Sequence, residues 1–311
     1  MTRSFFEGWY VKLVSADLAE RWAIIPGLFL GQAGGDEAFV QVLDGGTGRS
    51  WYLPYPVDSF TAAEGRFDVR VGPNHFSAQG VHLELPDGLP SGDLAFTTPL
   101  DPWPTSLASP GIMGWYAWVP FMECYHGICS FGHDLAGELT IEGRPARFDG
   151  GRGYLEKDWG RAFPGGYVWL HTNHVRDAPG VSLIASVALI PWLRGEFRGF
   201  IVGLRTPQGL RRWATYTGAR EELLEVDDTH VRWTLTGRDG RLSLVAERRA
   251  GALLHAPIRT QMHRRVEETL DAIVHIRLED TDGTVLLDSV GEAAGLEVHG
   301  DLDRLFAAGT R

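Results

Sequence analysis

Two cysteines, Cys124 and Cys129, are all that this 311-residue chain holds. A disulfide scaffold is therefore not expected, and free thiols in a cytoplasmic setting are. Basic charge is also short: 29 Lys and Arg stand against 40 Asp and Glu, a formal net charge of −11. Nucleic acids and anionic membranes are bound through basic patches, so neither nucleic acid nor stable membrane attachment is expected, and at most a transient contact with a membrane surface. No run approaches the ~18 apolar residues of a spanning helix. The opening MTRSFFEGWYVKL has no apolar core and no small-residue cleavage site, so no secretory leader is expected. Also missing are a Gly-rich nucleotide loop, a Gly-x-Ser-x-Gly elbow and a His-Glu-x-x-His motif. Long helices are disfavoured, because 39 Gly and 17 Pro punctuate the chain too often for them.

What is present is aromatic and pleated. The 11 Trp and 15 Phe suit half-buried sheet surfaces. Hydrophobic content of 44% is that of a folded protein, and the length suggests roughly two domains. Short apolar runs recur about every ten residues: Phe5–Val14, Trp22–Leu30, Ala38–Leu43, Ser50–Leu53, Phe67–Val71, His75–Ala78 and Val81–Leu85. Turn residues such as Gly72-Pro73-Asn74 and Gln79-Gly80 separate them. This rhythm predicts an antiparallel barrel or sandwich. It resumes after residue 180 with Val181–Ile190, apolar on both faces, and continues to Val285–Ser289. The one helix expected is Asp301–Ala308, and the Pro-rich Leu100–Ala108 reads as an irregular crossing loop. The expected organisation is all-β, with one domain over 1–145 and a second over 146–311.

The chain centres on GGRGYLEKDWGRAFPGGYVWLHTN, residues 150–173. It reads as two extended segments joined in a hairpin at Phe163-Pro164-Gly165-Gly166. Strand alternation puts Tyr154, Glu156 and Asp158 on one face, with the two carboxylates roughly 7 Å apart. Two carboxylates in an aromatic interior repel each other and lose solvation, so one should keep its proton near neutral pH. The competing reading is a solvated strand at a hairpin mouth. On the next segment Trp169, His171 and Asn173 share a face.

Gly111–His133 is the most aromatic stretch. Its rings, Trp115, Tyr116 and Trp118 foremost and Phe121 among them, form either a core wall or a pocket lining whose faces attract a cation. Glu123 and His126 are the polar groups of that stretch. Glu7 lies inside an apolar run, where a carboxylate is either paired and buried or at a rim. We assign substrate contact to Trp115, Tyr116, Trp118, Glu123, His126, Trp169, His171, Asn173 and Glu7. Cys124, His126, Cys129 and His133 lack the paired spacing of a structural zinc site, and no bound metal is expected. The basic cluster Arg259, His263, Arg264 and Arg265 reads as a solvated loop paired with Glu267 and Glu268, or as an anion clamp. Phe6-Glu7-Gly8-Trp9 and Leu155-Glu156-Lys157-Asp158-Trp159 echo each other, as two similar domains would.

Three motifs carry a resemblance: FEGWYVKL at 6–13, GWYAWVPFMECYHGICSFGH at 114–133 and GYLEKDWGRAFPGGYVWLHTNH at 153–174. Together they resemble the tocopherol cyclase-like family. The resemblance implies two lipocalin-like β-domains, a fold shared with carotenoid hydratases and some fungal decalin-forming cyclases. It also implies acid-initiated cyclisation or hydration of a lipophilic prenylated substrate, with no cofactor. In plant members a proton adds to an alkene and a phenol oxygen captures the cation. The hydratases carry their presumed acid, an Asp, in a short motif that falls on Glu156 here. The Asn of that motif falls on Asp158, a departure that replaces an amide with an ionisable group. Glu156 is the implied donor, with Asp158 and Tyr154 tuning it. A pericyclase or a non-catalytic lipid carrier would use the same cavity without the acid.

Overall fold

The computed structural model describes residues 4–31, 35–120, 122–192, 195–258 and 261–309. The chain is all-β: two large antiparallel sheets, bent rather than closed into barrels. The first sheet is built from strands between Phe5 and Gly160. Its centre runs Glu37–Asp44, Arg21–Leu30, Phe5–Val14, Arg152–Gly160, Cys124–Ile141 and Ser91–Phe96, in that spatial order. The second has Ser182–Trp192, Gly166–Thr172, Val285–Gly300 and Gln261–Glu279 at its centre. The expected helix is present as Leu302–Ala307. Asp301 caps it by accepting the Arg304 N–H at 2.9 Å, which satisfies one of the free donors of its first turn.

Each sheet packs alternate residues of one face into an apolar cluster. In the first, alternate residues Trp9, Val11, Leu13, Ile24, Val40, Val42 and Leu155 meet in one apolar cluster. In the second, Val168, Leu170, Leu183, Ala185, Leu296 and their neighbours do the same. The opposite face of the first sheet is aromatic and polar instead. Phe6, Phe29 and Phe39 cluster there, and Gln41 is buried there. Gln41 donates to the His255 carbonyl at 2.8 Å and accepts the His255 N–H at 2.7 Å, so an amide side chain copies a strand pairing. Tyr52 packs against the His255 ring in a tilted arrangement, with centroids 4.2 Å apart. These contacts tie a late segment of the chain to the first sheet.

Three expectations change here. The hairpin at Phe163–Gly166 is not formed. Arg152–Gly160 is paired on one edge by Phe5–Val14 and on the other by Cys124–Ile141, so it has no edge left for Gly166–Thr172. The latter is flanked by Ser182–Trp192 and Val285–Gly300 in the other sheet. A single domain boundary at 145 is likewise replaced. One compact unit holds Met1–Pro104, Cys124–Phe163 and Leu253–Arg265, and the other Thr105–Glu123, Pro164–Ala252 and Val266–Arg311. The Glu156 strand thus belongs to the first unit, not to a C-terminal domain. Third, the two echoing motifs are not equivalent strands of two domains but direct neighbours, paired with Gly8 across from Asp158 and Tyr10 across from Glu156. Of the basic cluster, Arg259 lies outside the described residues, as does Phe121. The rest falls on the strand Gln261–Glu279 rather than on a loop, and Glu268 is buried there.

Candidate active site

Register decides which side chains meet. Partners directly opposite in an antiparallel pair point to the same face. Across from Tyr154, Glu156 and Asp158 stand Lys12, Tyr10 and Gly8 on one side. On the other side His126 stands across from Asp158 and Ile128 across from Glu156. Three central strands therefore bring Tyr10, Lys12, His126, Tyr154, Glu156 and Asp158 onto one face, the one turned away from the first unit's apolar core.

The group is linked by hydrogen bonds. The Tyr154 hydroxyl donates to Glu156 Oε2 in a short bond, and both side chains are buried. Burial, and then the charge of Glu156, push the Tyr154 phenol well above its usual range, so it stays a donor. His126 Nδ1 lies 2.8 Å from Asp158 Oδ1, and its Nε2 lies 3.8 Å from Glu156 Oε2. The expected direct repulsion between two carboxylates is thus interrupted: an imidazole stands between them. Tyr10 packs edge-on against Tyr154 with ring centroids 6.3 Å apart.

His126, Glu156 and Asp158 place one ligand atom each within 4.8 Å of one another, the one such group of three among the described residues. The imidazole turns one nitrogen to each carboxylate. The arrangement places a group that exchanges protons between two acids. The cysteines do not join it. Cys124 packs beside Phe6 and Phe39, while Cys129 packs against the apolar core on the other side of the sheet. His133 is buried elsewhere, with Nδ1 3.0 Å from Ser130 Oγ and its ring against Phe96. Gly153 allows that packing, since a Cβ there would collide with the His133 imidazole.

Other expected site residues are placed differently. Glu7 lies on the opposite face from Glu156, in an ion pair with Lys157 Nζ at 2.8 Å. Alternation within Phe5–Val14 makes this unavoidable, because Glu7 is an odd number of residues from Tyr10. Trp115, Tyr116 and Trp118 lie on a short 3-10 turn, Gly114–Trp118, in the second unit. Trp115 is 46% and Trp118 64% exposed, so these two are not a core wall. Tyr116 stacks on Trp115 and meets Trp192 edge-on. Glu123, Trp169, His171 and Asn173 also belong to the second unit, where the last three are buried. Tyr10 and Lys12 were not expected at the site. Lys12 is fully buried between Val11 and Leu13, and a lysine inside so apolar a strand is the signal that points to it.

No helix among the described residues is long and apolar enough to cross a membrane. The sequence profile of the family described as tocopherol cyclase-like matches residues 93–300, well over half of the chain. The chain is 35% identical over 77 residues to the Zea mays protein "Tocopherol cyclase, chloroplastic". The Oryza sativa subsp. japonica protein "Probable tocopherol cyclase, chloroplastic" matches to the same extent. That stretch spans 24% of this chain and 16% of each plant protein. Two solved structures share the fold. Kievitone hydratase from Nectria haematococca superposes with a TM-score of 0.52 at 12% identity, covering 97% of this chain and 90% of its own. CghA, solved with Sch210972, gives 0.60 at 13% identity, covering 96% and 89%.

Proposed function

Because the chain belongs to the tocopherol cyclase-like family, we propose that it is a cyclase- or hydratase-type enzyme in which Glu156 protonates an alkene of a lipophilic, prenylated substrate. The observation that carries this reading is the buried Tyr154–Glu156 pair, with His126 bridging towards Asp158. Tyr154 donates to Oε2 and holds the carboxyl in place, and a neutral Glu156 supplies the acidic proton. Its transfer to an alkene carbon forms a C–H bond, breaks the π bond and leaves a cation on the more substituted carbon. A hydroxyl of the same substrate then closes a ring, or a water adds. Neither outcome moves electrons to or from a carrier, so the chemistry asks for no redox cofactor. Tyr10, across from Glu156 on the neighbouring strand, offers an aromatic ring on the face where that cation forms.

The test uses a prenylated hydroquinone as probe. The wild-type protein should convert it to the ring-closed ether or, if it is a hydratase, to the tertiary alcohol. Turnover in ¹⁸O-water separates the two, since only hydration incorporates the label. Glu156→Gln keeps the size and hydrogen-bonding reach of the side chain but has no acidic proton. It should bind the probe and turn over slower by roughly 10² or more, the scale of general acid catalysis. Turnover of Glu156→Gln at the wild-type rate would overturn the acid assignment in favour of a shape-driven pericyclase. Binding by the wild-type protein with no turnover would favour a carrier.

A further inference from the structure

An acid that gives its proton away must recover it, and the site holds a route for that recovery. We propose that His126, oriented by Asp158, is the base that takes the proton from the attacking hydroxyl and returns it to Glu156. This rests on the reading of Glu156 as the donor.

The argument begins with a proton count. Asp158 Oδ1 accepts from His126 Nδ1 at 2.8 Å, which fixes the hydrogen on that nitrogen. Nε2 then faces Glu156 Oε2 across 3.8 Å. Between those two atoms the site holds one proton in two arrangements: neutral acid with neutral imidazole, or carboxylate with imidazolium. The two differ only in where that proton sits, so the groups titrate as a pair. The 3.8 Å gap exceeds the ~2.6–3.2 Å of a transfer-ready contact, and closes with a small ring movement or is spanned by one water.

Exposure adds direction. The side chains are 6% exposed at Glu156, 16% at His126 and 23% at Asp158. The buried acid is thus connected outward through groups of increasing contact with solvent. Other titratable or charged groups on this face include Tyr10 and Lys12 from Phe5–Val14, Tyr154 and Arg152 on the strand of the acid, Cys124 on the His126 strand, and Arg21 and Glu37 on the strands beyond Phe5–Val14. Tyr154 cannot take the role of base, since it serves Glu156 as a donor and its proton is held tightly.

The cycle balances for ring closure. The Glu156 O–H breaks as the substrate C–H forms. The substrate oxygen forms the C–O bond to the cation, and its own O–H breaks with the proton going to Nε2. His126 then passes a proton to the Glu156 carboxylate. Nothing is oxidised or reduced, and no proton is left over. Asp158 touches no reacting atom in this scheme: it is a positioning residue that holds the imidazole tautomer and offsets the charge of the transient imidazolium.

Two measurements on the full chain test the relay. The first needs no substrate: ¹⁵N-histidine NMR across pH on the wild-type, Asp158→Asn and Glu156→Gln proteins. Asp158→Asn removes an anion beside Nδ1, and Glu156→Gln removes the partner that becomes a carboxylate when Nε2 holds the shared proton, so the His126 midpoint should fall by about one unit or more in both. A midpoint indifferent to both substitutions would overturn the relay. The second follows the prenylated hydroquinone with His126→Ala. Turnover should fall at least tenfold with KM little changed, and added imidazole should restore a measurable part of it. Unchanged turnover, or a folded and probe-binding variant that imidazole fails to rescue, would overturn the relay while leaving Glu156 as the acid. Full activity of Glu156→Gln would instead remove the donor itself.

Discussion

Glu7 and Glu156 point to opposite faces of the same sheet. Glu7 stands across from Trp159 and pairs with Lys157, whose ammonium also lies 4.3 Å from the centre of the Trp9 ring. Glu156 stands across from Tyr10, on the face that carries His126 and Tyr154. The two acid-near-tryptophan motifs therefore do unrelated things, one closing an ion pair and one lining the candidate site.

Glu7→Gln should accordingly leave turnover of the prenylated hydroquinone within about twofold. The ion pair is partly exposed, 18% at Glu7 and 28% at Lys157, and such pairs contribute at most ~1 kcal/mol. Thermal unfolding should move down by no more than a few degrees. A tenfold loss of kcat in a folded Glu7→Gln protein would return Glu7 to the chemistry.

The alternation of Phe5–Val14 and of Tyr154, Glu156 and Asp158 was legible in the sequence because it is local: a period of two needs no partner to be seen. The strand Phe5–Val14 has the bounds its pattern predicts. What could not be read was register between strands distant in sequence. His126 meets Asp158 and Tyr10 meets Glu156 only through pairings separated by tens of residues or more, and nothing in the spacing encodes them. The missing hairpin has the same origin. Phe163-Pro164-Gly165-Gly166 is a plausible turn locally, but both edges of the preceding strand are taken by earlier parts of the chain. The short family motif covers Tyr154, Glu156 and Asp158 because they lie on one strand, and it says nothing of Tyr10, Lys12 or His126, which reach that face from other strands.

His133 should make the fold acid-sensitive. Burial, helped by the charge of Arg152, lowers it from 6.5 to about 3. Between those values the unfolded chain takes up a proton that the folded chain refuses. Stability from this group is therefore fully present above about 6.5 and is lost as pH falls, by ~1.4 kcal/mol per unit. His133→Asn retains a polar atom near Ser130 and removes the titration. Urea unfolding at pH 7 and pH 5 should show the wild-type protein losing roughly 2 kcal/mol more than the variant over that interval. Equal losses would mean that His133 protonates without unfolding.

Cys129 should be chemically silent in the folded protein. It packs against the first apolar core, and burial pushes its thiol up to about 12. Only the thiolate alkylates, so at pH 8 iodoacetamide should label it on the order of 10³-fold slower than a free cysteine. Peptide mapping should find Cys129 unmodified until urea is added. Rapid labelling of the native protein would contradict its packing.

Tyr154→Phe probes the acid through the short hydrogen bond between the two side chains. The substitution removes the hydroxyl that donates to Glu156 Oε2 and keeps the ring that packs on Tyr10. A buried carboxyl left short of a donor costs about 1–3 kcal/mol, which equilibrium unfolding can measure. The pH profile is the sharper readout. A donor on Oε2 favours the carboxylate over the acid, so its loss lets Glu156 keep its proton to higher pH. An enzyme that works with the protonated form loses rate as pH rises through the titration of that acid. The alkaline limb of kcat/KM for the prenylated hydroquinone should therefore move to higher pH in Tyr154→Phe, even where the maximal rate falls. Tyr154 itself contributes no limb in the accessible range, because burial keeps its phenol protonated. A limb that stays in place, or moves to lower pH, would mean that the hydroxyl does not donate to Glu156 in the working enzyme.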